Sequence, residues 1–183
     1  MKRTIVAALC LIAGMIGSVG AAEITPEDLD RRRNSINAAG MLTLGSWAVT
    51  NIGLNTTLYL ATDDDIRYFY QMNALWNVVN LGIAGLGYWG SIRAAPSEDL
   101  FSAVDAQYGI EKALLFNAGL DTAYMMSGLF LLEHAKNSTT NQAMFRGYGQ
   151  SLLLQGGFLL VFDLVMYTLQ RGGRKILVPL LSE

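Results

Sequence analysis

The chain is short of the residues that build reactive or metal-binding sites. It has one cysteine, Cys10, and one histidine, His134. Cys10 lies in an N-terminal apolar segment that reads as a secretory signal, so the mature chain is expected to carry no cysteine. That leaves no disulfide, thiolate metal site or cysteine nucleophile. His134 stands at a helix end beside Glu133 and Lys136 and reads as an interface residue. It lacks the further His or Cys partners that zinc and haem sites use. No serine elbow accompanies it to suggest a hydrolytic triad. No cofactor, metal or catalytic residue is therefore expected, and the chain does not read as an enzyme. Charge is also scarce, at 15% of residues against about a quarter in soluble domains. A net charge of −2 implies no basic surface, and hence no nucleic-acid partner.

What is abundant is apolar and small: 52% hydrophobic residues and 19 glycines. This points to a helical membrane protein. Lys2 and Arg3 form a positive start, "TIVAALCLIAGMIG" an apolar run, and "SVGAAE" a cleavage point after Ala21 or Ala22. The expected organisation is a signal peptide at 1–22 and a four-helix membrane domain at 23–183. Thr25 as N-cap, Pro26 at the first helical position and the acids of "TPEDLDRRRNS" open the first helix. "YFYQMNALWNVVNLGIAGLGYWG" is the second. "APSEDLFSAVDAQYG" opens the third, and "RGYGQSLLLQGGFLLVFDLVMYTLQ" is the fourth, ended by Gly172 and Gly173. Each apolar part approaches the roughly 20 residues needed to cross a bilayer, the first two only marginally. The glycines of "GIAGLG" follow no strand and read as packing glycines, not as a nucleotide loop.

An offset of 79 residues aligns "AGMLT" at 39–43 with "AGLDT" at 118–122, and Arg67, Gln71 and Tyr88 with Arg146, Gln150 and Tyr167. Arg33 then meets Lys112. Two tandem helical-hairpin repeats follow, about 25–93 and 97–172, entering from the same side. The expected fold class is all-α: a four-helix transmembrane bundle of two hairpins after a signal segment.

"RYFYQMNALWNVVNLGIAGLGYWG", with "NAAGMLTLGSWAVTNIG" before it, resembles a family of small bacterial integral membrane proteins with no assigned activity. The resemblance covers most of the mature chain. It implies a four-helix membrane protein in the bacterial inner membrane and carries over no functional residue.

Two signals disagree on orientation. A cleaved signal places residue 23 outside the cytoplasm. The positive-inside rule places Arg31, Arg32, Arg33, Arg93, Lys112, Arg171, Arg174 and Lys175 inside, because the opposite side holds only Arg67, Lys136 and Arg146.

The polar residues within the apolar segments carry what chemistry there is. Asn73, Asn77 and Asn80 follow an i, i+4, i+7 spacing and share one helix face. Facing lipid, an unpaired amide costs several kcal/mol, so the stripe is expected to face other helices. Asn37, Gly40, Leu44, Trp47, Asn51 and Asn55 make a matching stripe on the first helix. Asn117, Asp121, Tyr124 and Gly128 do so on the third, and Tyr148, Gln155, Leu159, Asp163 and Met166 on the fourth. Asp121 and Asp163 lie near mid-segment with no Lys or Arg at their depth. They are expected inside the bundle near Asn77, Asn80 and Gln155, neutral or holding a cation. Two functions follow. One is a structural or assembly role in which the amides fix packing. The other is a proton or small-cation carrier using the aspartates. The expected partners are the lipid bilayer and other membrane proteins or a second copy of the chain.

Overall fold

The computed structural model describes residues 25–172. The expected signal at 1–22, Cys10 and the C-terminal "KILVPLLSE" lie outside the described residues. Within them the protein is all-α, with no strand: α1 Pro26–Ala61, α2 Arg67–Arg93, α3 Leu100–Asn137 and α4 Gln142–Arg171.

Local chemistry sets the boundaries. The Thr25 hydroxyl accepts from the Asp28 N–H at 3.2 Å, and the Asp28 carboxylate accepts from the Thr25 N–H at 3.3 Å. This reciprocal cap satisfies two donors that the first turn leaves unpaired. Asp99 caps α3 by accepting from the Ser102 N–H at 2.7 Å. Both acids are held below the ordinary carboxylate range, Asp28 chiefly by the Thr25 side chain and Asp99 chiefly by the Ser102 backbone N–H. Asn141, ahead of α4, adopts φ 62°, a left-handed conformation that asparagine tolerates better than most residues.

Helix α1 lies along α2 and α3 along α4, and the two hairpins meet chiefly through α2 and α4. At one end, Asp30 bonds Ser97 and Arg33 donates to the Ala103 carbonyl. At the other, the Tyr148 hydroxyl donates to Gln71 and Gly147 lies against the Tyr68–Phe69 backbone. Both hairpins therefore enter at the same end, called here the entry end; the turns of both lie at the turn end. Within the second hairpin the backbones touch: a Cβ at Gly128 would come within 2.8 Å of the Gly149 carbonyl oxygen.

The 79-residue offset divides at this level. In α2 and α4 it pairs buried positions: Asn77 with Gly156, Ala84 with Asp163, Ser91 with Gln170. In α1 and α3 it does not, pairing buried Arg33 with exposed Lys112 and exposed Leu42 with buried Asp121. The α3 interior follows its own stripe of Gln107, Glu111, Leu114, Ala118 and Asp121. Asn117, expected on that stripe, is exposed, because Ala118 holds the inward position.

The distribution of side chains is inverted relative to a water-soluble bundle. Asn73, Asn77, Ser151, Gln155 and Gln170 are fully buried, whereas Leu86 is 79% and Leu60 78% exposed. Half of the apolar residues buried in the interior are alanines, such as Ala48, Ala84, Ala103 and Ala118. Among the described residues only α4 is long and apolar enough to cross a membrane by composition. The other three fall short of the four spans expected because their buried stripes are amide- or acid-rich, which lowers their average hydropathy.

Candidate functional site: a polar seam through the bundle

The seam begins on α2. Its asparagines are spaced so that each amide reaches the turn before it. Asn73 donates to the Phe69 carbonyl at 3.0 Å and Asn77 to the Asn73 carbonyl at 2.8 Å. Asn80 donates to the Asn77 side-chain oxygen at 3.4 Å. On α1, Asn51 and Asn55 bond the carbonyls of Trp47 and Asn51 in the same way. Most of the amide stripe is thus satisfied within its own helix.

Gln155 on α4 makes the crossing. Its amide nitrogen donates to Asn73 Oδ1 at 2.6 Å, and its oxygen accepts from Trp47 Nε1 at 3.1 Å. One side chain thereby ties α4 to α2 and α1. Trp47 is itself held flat on Phe158, ring centroids 3.9 Å apart. Asn73 and Gln155 are buried and Trp47 is half-buried, so these bonds form where water is largely excluded.

The two aspartates meet each other. Asp121 and Asp163 are buried, on α3 and α4, and their carboxyl groups lie within hydrogen-bonding reach. The amides expected around them do not complete their shell. Among the described residues, Asn77, Asn80 and Gln155 direct their hydrogen bonds elsewhere, and Asp121 Oδ2 is buried with no hydrogen-bond partner. Trp76 Nε1 and Ser151 Oγ are also buried without one. Of the six residues singled out in the sequence, Asn73 and Gln155 form one unit, Asp121 and Asp163 a second, and Asn77 and Asn80 extend the α2 stripe.

A second polar layer closes the entry end, and nothing in the sequence reading singled it out. Asp30 and Arg33 form a buried ion pair at 2.7 Å. Gln107 donates to Glu111 Oε1 at 3.2 Å and to the Gln170 carbonyl at 3.0 Å. Gln170 donates in turn to the Arg33 carbonyl at 3.2 Å. Beside this network, Leu29 and Ala103 pack with Leu100 and Val104 into a small apolar cluster. The available signal was spacing: Ala103, Gln107 and Glu111 continue the α3 stripe toward its start. At the turn end, His134 is exposed and packs against Phe130 and Phe145. Among the described residues no group of three or more His, Cys, Asp or Glu is arranged to hold a metal ion.

The span from the middle of α1 to Asp163 on α4 carries a family signature. The chain belongs to DUF6992, a family of unknown function, whose model matches residues 43–164. That match contains the amide junction, both aspartates and the α3 part of the entry-end network, Gln107 and Glu111, and leaves out Asp30, Arg33 and Gln170. No curated protein and no solved structure matches the chain.

Proposed function

We propose that this member of DUF6992 is an integral protein of a bacterial inner membrane, with a structural or assembly role carried by its polar seam. The observation that supports it most is the inverted distribution of side chains. In water, exposed apolar surface costs about 25 cal/mol per Å², and large residues such as Leu60, Leu86 and Phe116 would lie uncovered. In lipid the same surface costs nothing, and polar groups must turn inward. Helix lengths agree with this placement. The 38 residues of α3 extend about 57 Å, well beyond the roughly 30 Å hydrocarbon core. The entry-end network then stands in or near the headgroup region, where its charges are tolerated. The lipid bilayer is the partner throughout, with self-association or another membrane protein on the outer faces. The two hairpins read as tandem copies, most clearly in α2 and α4.

Two measurements test this. The full chain should stay in the membrane fraction through a salt and alkaline wash and leave it only with detergent; release without detergent would identify a soluble bundle. Reporter fusions at residues 63 and 97 should give opposite signals. Equal signals would overturn the four-span arrangement.

A second reading has its own support in the contact between Asp121 and Asp163. A buried carboxyl pair without a basic partner is a binding site for a proton or small cation, and ionisable groups inside membranes are functional candidates. Flux of protons or cations into liposomes, lost in the Asp121→Asn, Asp163→Asn double variant, tests it. A wild-type protein that supports no flux would leave only the packing role.

A further inference from the structure

Three consecutive arginines near the start of α1 are not equivalent. Arg31 pairs with Glu27 at 3.2 Å on an exposed face, and Arg33 pairs with buried Asp30 at 2.7 Å. Arg32, between them, has no acid. It reaches across to α4 and donates to the Leu169 carbonyl at 3.3 Å. Its guanidinium lies over Gly172, where a Cβ would come within 3.2 Å of Nη2. Among the described residues it makes no other hydrogen bond and no ion pair. A guanidinium carries five N–H donors. A half-buried charge therefore stands at the end of α4 with most of its donors unused.

The same stretch of α4 carries a groove. Helix α1 meets α4 at Phe158, on which Trp47 is stacked, and at Met166, which lies against Gly40. On the outer side of α4, Val161, Leu164, Val165, Thr168 and Leu169 line a groove of about 330 Å³. Val161 and Leu164 are exposed. Thr168 offers no free donor, because its hydroxyl is turned onto the Leu164 carbonyl at 2.8 Å. The groove is thus apolar along its length and meets a charge only where Leu169 touches Arg32. Arg171 is exposed at this end, without an ion pair among the described residues, and the sequence runs on through Arg174 and Lys175.

Size and charge together identify the occupant. From Val161 to Leu169 the helix rises ~12 Å, which gives the groove a mean cross-section of roughly 28 Å². A helix about 10–12 Å across fills about 80–110 Å² and cannot sink into it. An extended hydrocarbon chain can. The ligand that fits is apolar for ~12 Å and anionic at one end. Phosphate suits that end, because a guanidinium donates to it through two parallel N–H groups. Basic pockets between helices at headgroup level take anionic lipids by this chemistry.

We propose that the α4 groove seats an acyl chain of an anionic phospholipid whose phosphate pairs with Arg32. The inference rests on the reading above that the chain is an integral membrane protein with its entry end at headgroup level. Arg32 belongs to the first hairpin and the groove to the second, so one bound lipid braces the two hairpins against each other.

Native mass spectrometry of the full-length protein tests this, with the protein released from neutral detergent micelles that carry phosphatidylglycerol or phosphatidylcholine of the same chains. One phosphatidylglycerol should stay bound, and phosphatidylcholine should be lost. Arg32→Gln should weaken retention about tenfold, or by about 1.4 kcal/mol. Arg93→Gln, an equal charge change at an exposed site on α2, should leave retention unchanged. Thr168→Phe fills the groove from an exposed position and should also release the lipid, which keeps the site testable where Arg32→Gln fails to fold. Equal retention of the two lipids, or an equal loss in Arg93→Gln, would reduce the effect to bulk charge and overturn the site. Retention unchanged in Thr168→Phe would remove the chain from the groove. A lipid-free dimer that Thr168→Phe splits would give the groove to a second copy instead. Release of the protein from membranes without detergent would defeat the membrane reading; unselective retention by a protein that stays in them would defeat this site alone.

Discussion

The carboxylate of Asp30, on α1, accepts from both the backbone N–H and the hydroxyl of Ser97, at 2.6 and 3.0 Å. Ser97 lies in the connection between the hairpins, so one acid pins that link to the first helix while also pairing with Arg33 at 2.7 Å. Removing one member of a buried ion pair leaves the other charged and unsatisfied, a loss of about 3–5 kcal/mol. Asp30→Ala should therefore lower unfolding stability in detergent by roughly that amount. Ser97→Ala should cost less, since its backbone N–H keeps its bond. Replacing both Asp30 and Arg33 with apolar residues should cost less than the two single changes added together. Strict additivity would show that the pair contributes no coupling.

How much of this was legible in the sequence depended on context. The 73, 77, 80 spacing placed the asparagines inward because amides within an apolar run have nowhere else to go. The aspartates followed by the same logic. Asp30, Arg33, Gln107 and Glu111 sit instead in charged entry segments, where a polar residue ordinarily faces water. Only the tertiary approach of α1, α3 and α4 buries them. Asn117 fell to a phase ambiguity: it stands i−4 from Asp121, yet Ala118, at i−3, takes the inward position. Nor could periodicity reveal that Asn77 and Asn80 bond within α2 while Gln155 spans three helices. That difference lies in side-chain reach across a particular interhelical distance.

The two acidic caps make a pH prediction. Asp28 and Asp99 are both held below the ordinary value of 3.8 in the folded chain. A carboxylate whose folded value is lowered adds stability that is present above its unfolded value and is lost as pH falls through the folded one. The first turns of α1 and α3 should therefore fray in acid. Amide hydrogen exchange at Asp28 and Ser102, corrected for the intrinsic rate, should accelerate as pH drops below about 3.8, while Asn77 and Gln155 stay protected. Unchanged protection at Asp28 and Ser102 across that range would count against both caps.

Glycines of α3 should divide by position. Gly128 faces the Gly149 carbonyl oxygen at a distance no Cβ can accept, whereas Gly119 has open space around its Cβ direction. Gly128→Ala must push α3 from α4 and should destabilise by about 1–3 kcal/mol, the usual cost of overpacking. Gly119→Ala should be neutral or stabilising by about 0.5–1 kcal/mol, from helix propensity alone. Thermal unfolding in detergent separates the two. Equal effects would mean that the close contact of the second hairpin does not contribute.

Gln155 should matter more than any single asparagine of the α2 stripe. Its two bonds reach α1 and α2 and leave a buried partner, Asn73, and a half-buried one, Trp47, behind when it is lost. Gln155→Leu keeps the volume and removes both, so Asn73 Oδ1 is stranded in the buried interior and Trp47 Nε1 in a half-buried position. Each stranded group should cost about 1–3 kcal/mol. Within a membrane, interhelical bonds contribute about 0.6–2 kcal/mol, which sets the lower end. Asn80→Ala removes a long 3.4 Å bond inside α2 and no contact between helices through its amide, so its effect should be smaller. Adding Asn73→Leu to Gln155→Leu removes one stranded partner, and the double variant should be less harmful than the sum by about 0.5–3 kcal/mol. The indole of Trp47 reports the same event. Freed from Gln155 while still stacked on Phe158, its fluorescence should shift in Gln155→Leu and stay unchanged in Asn80→Ala. A larger loss from Asn80→Ala than from Gln155→Leu would place the organising contact on α2 and not at the three-helix junction.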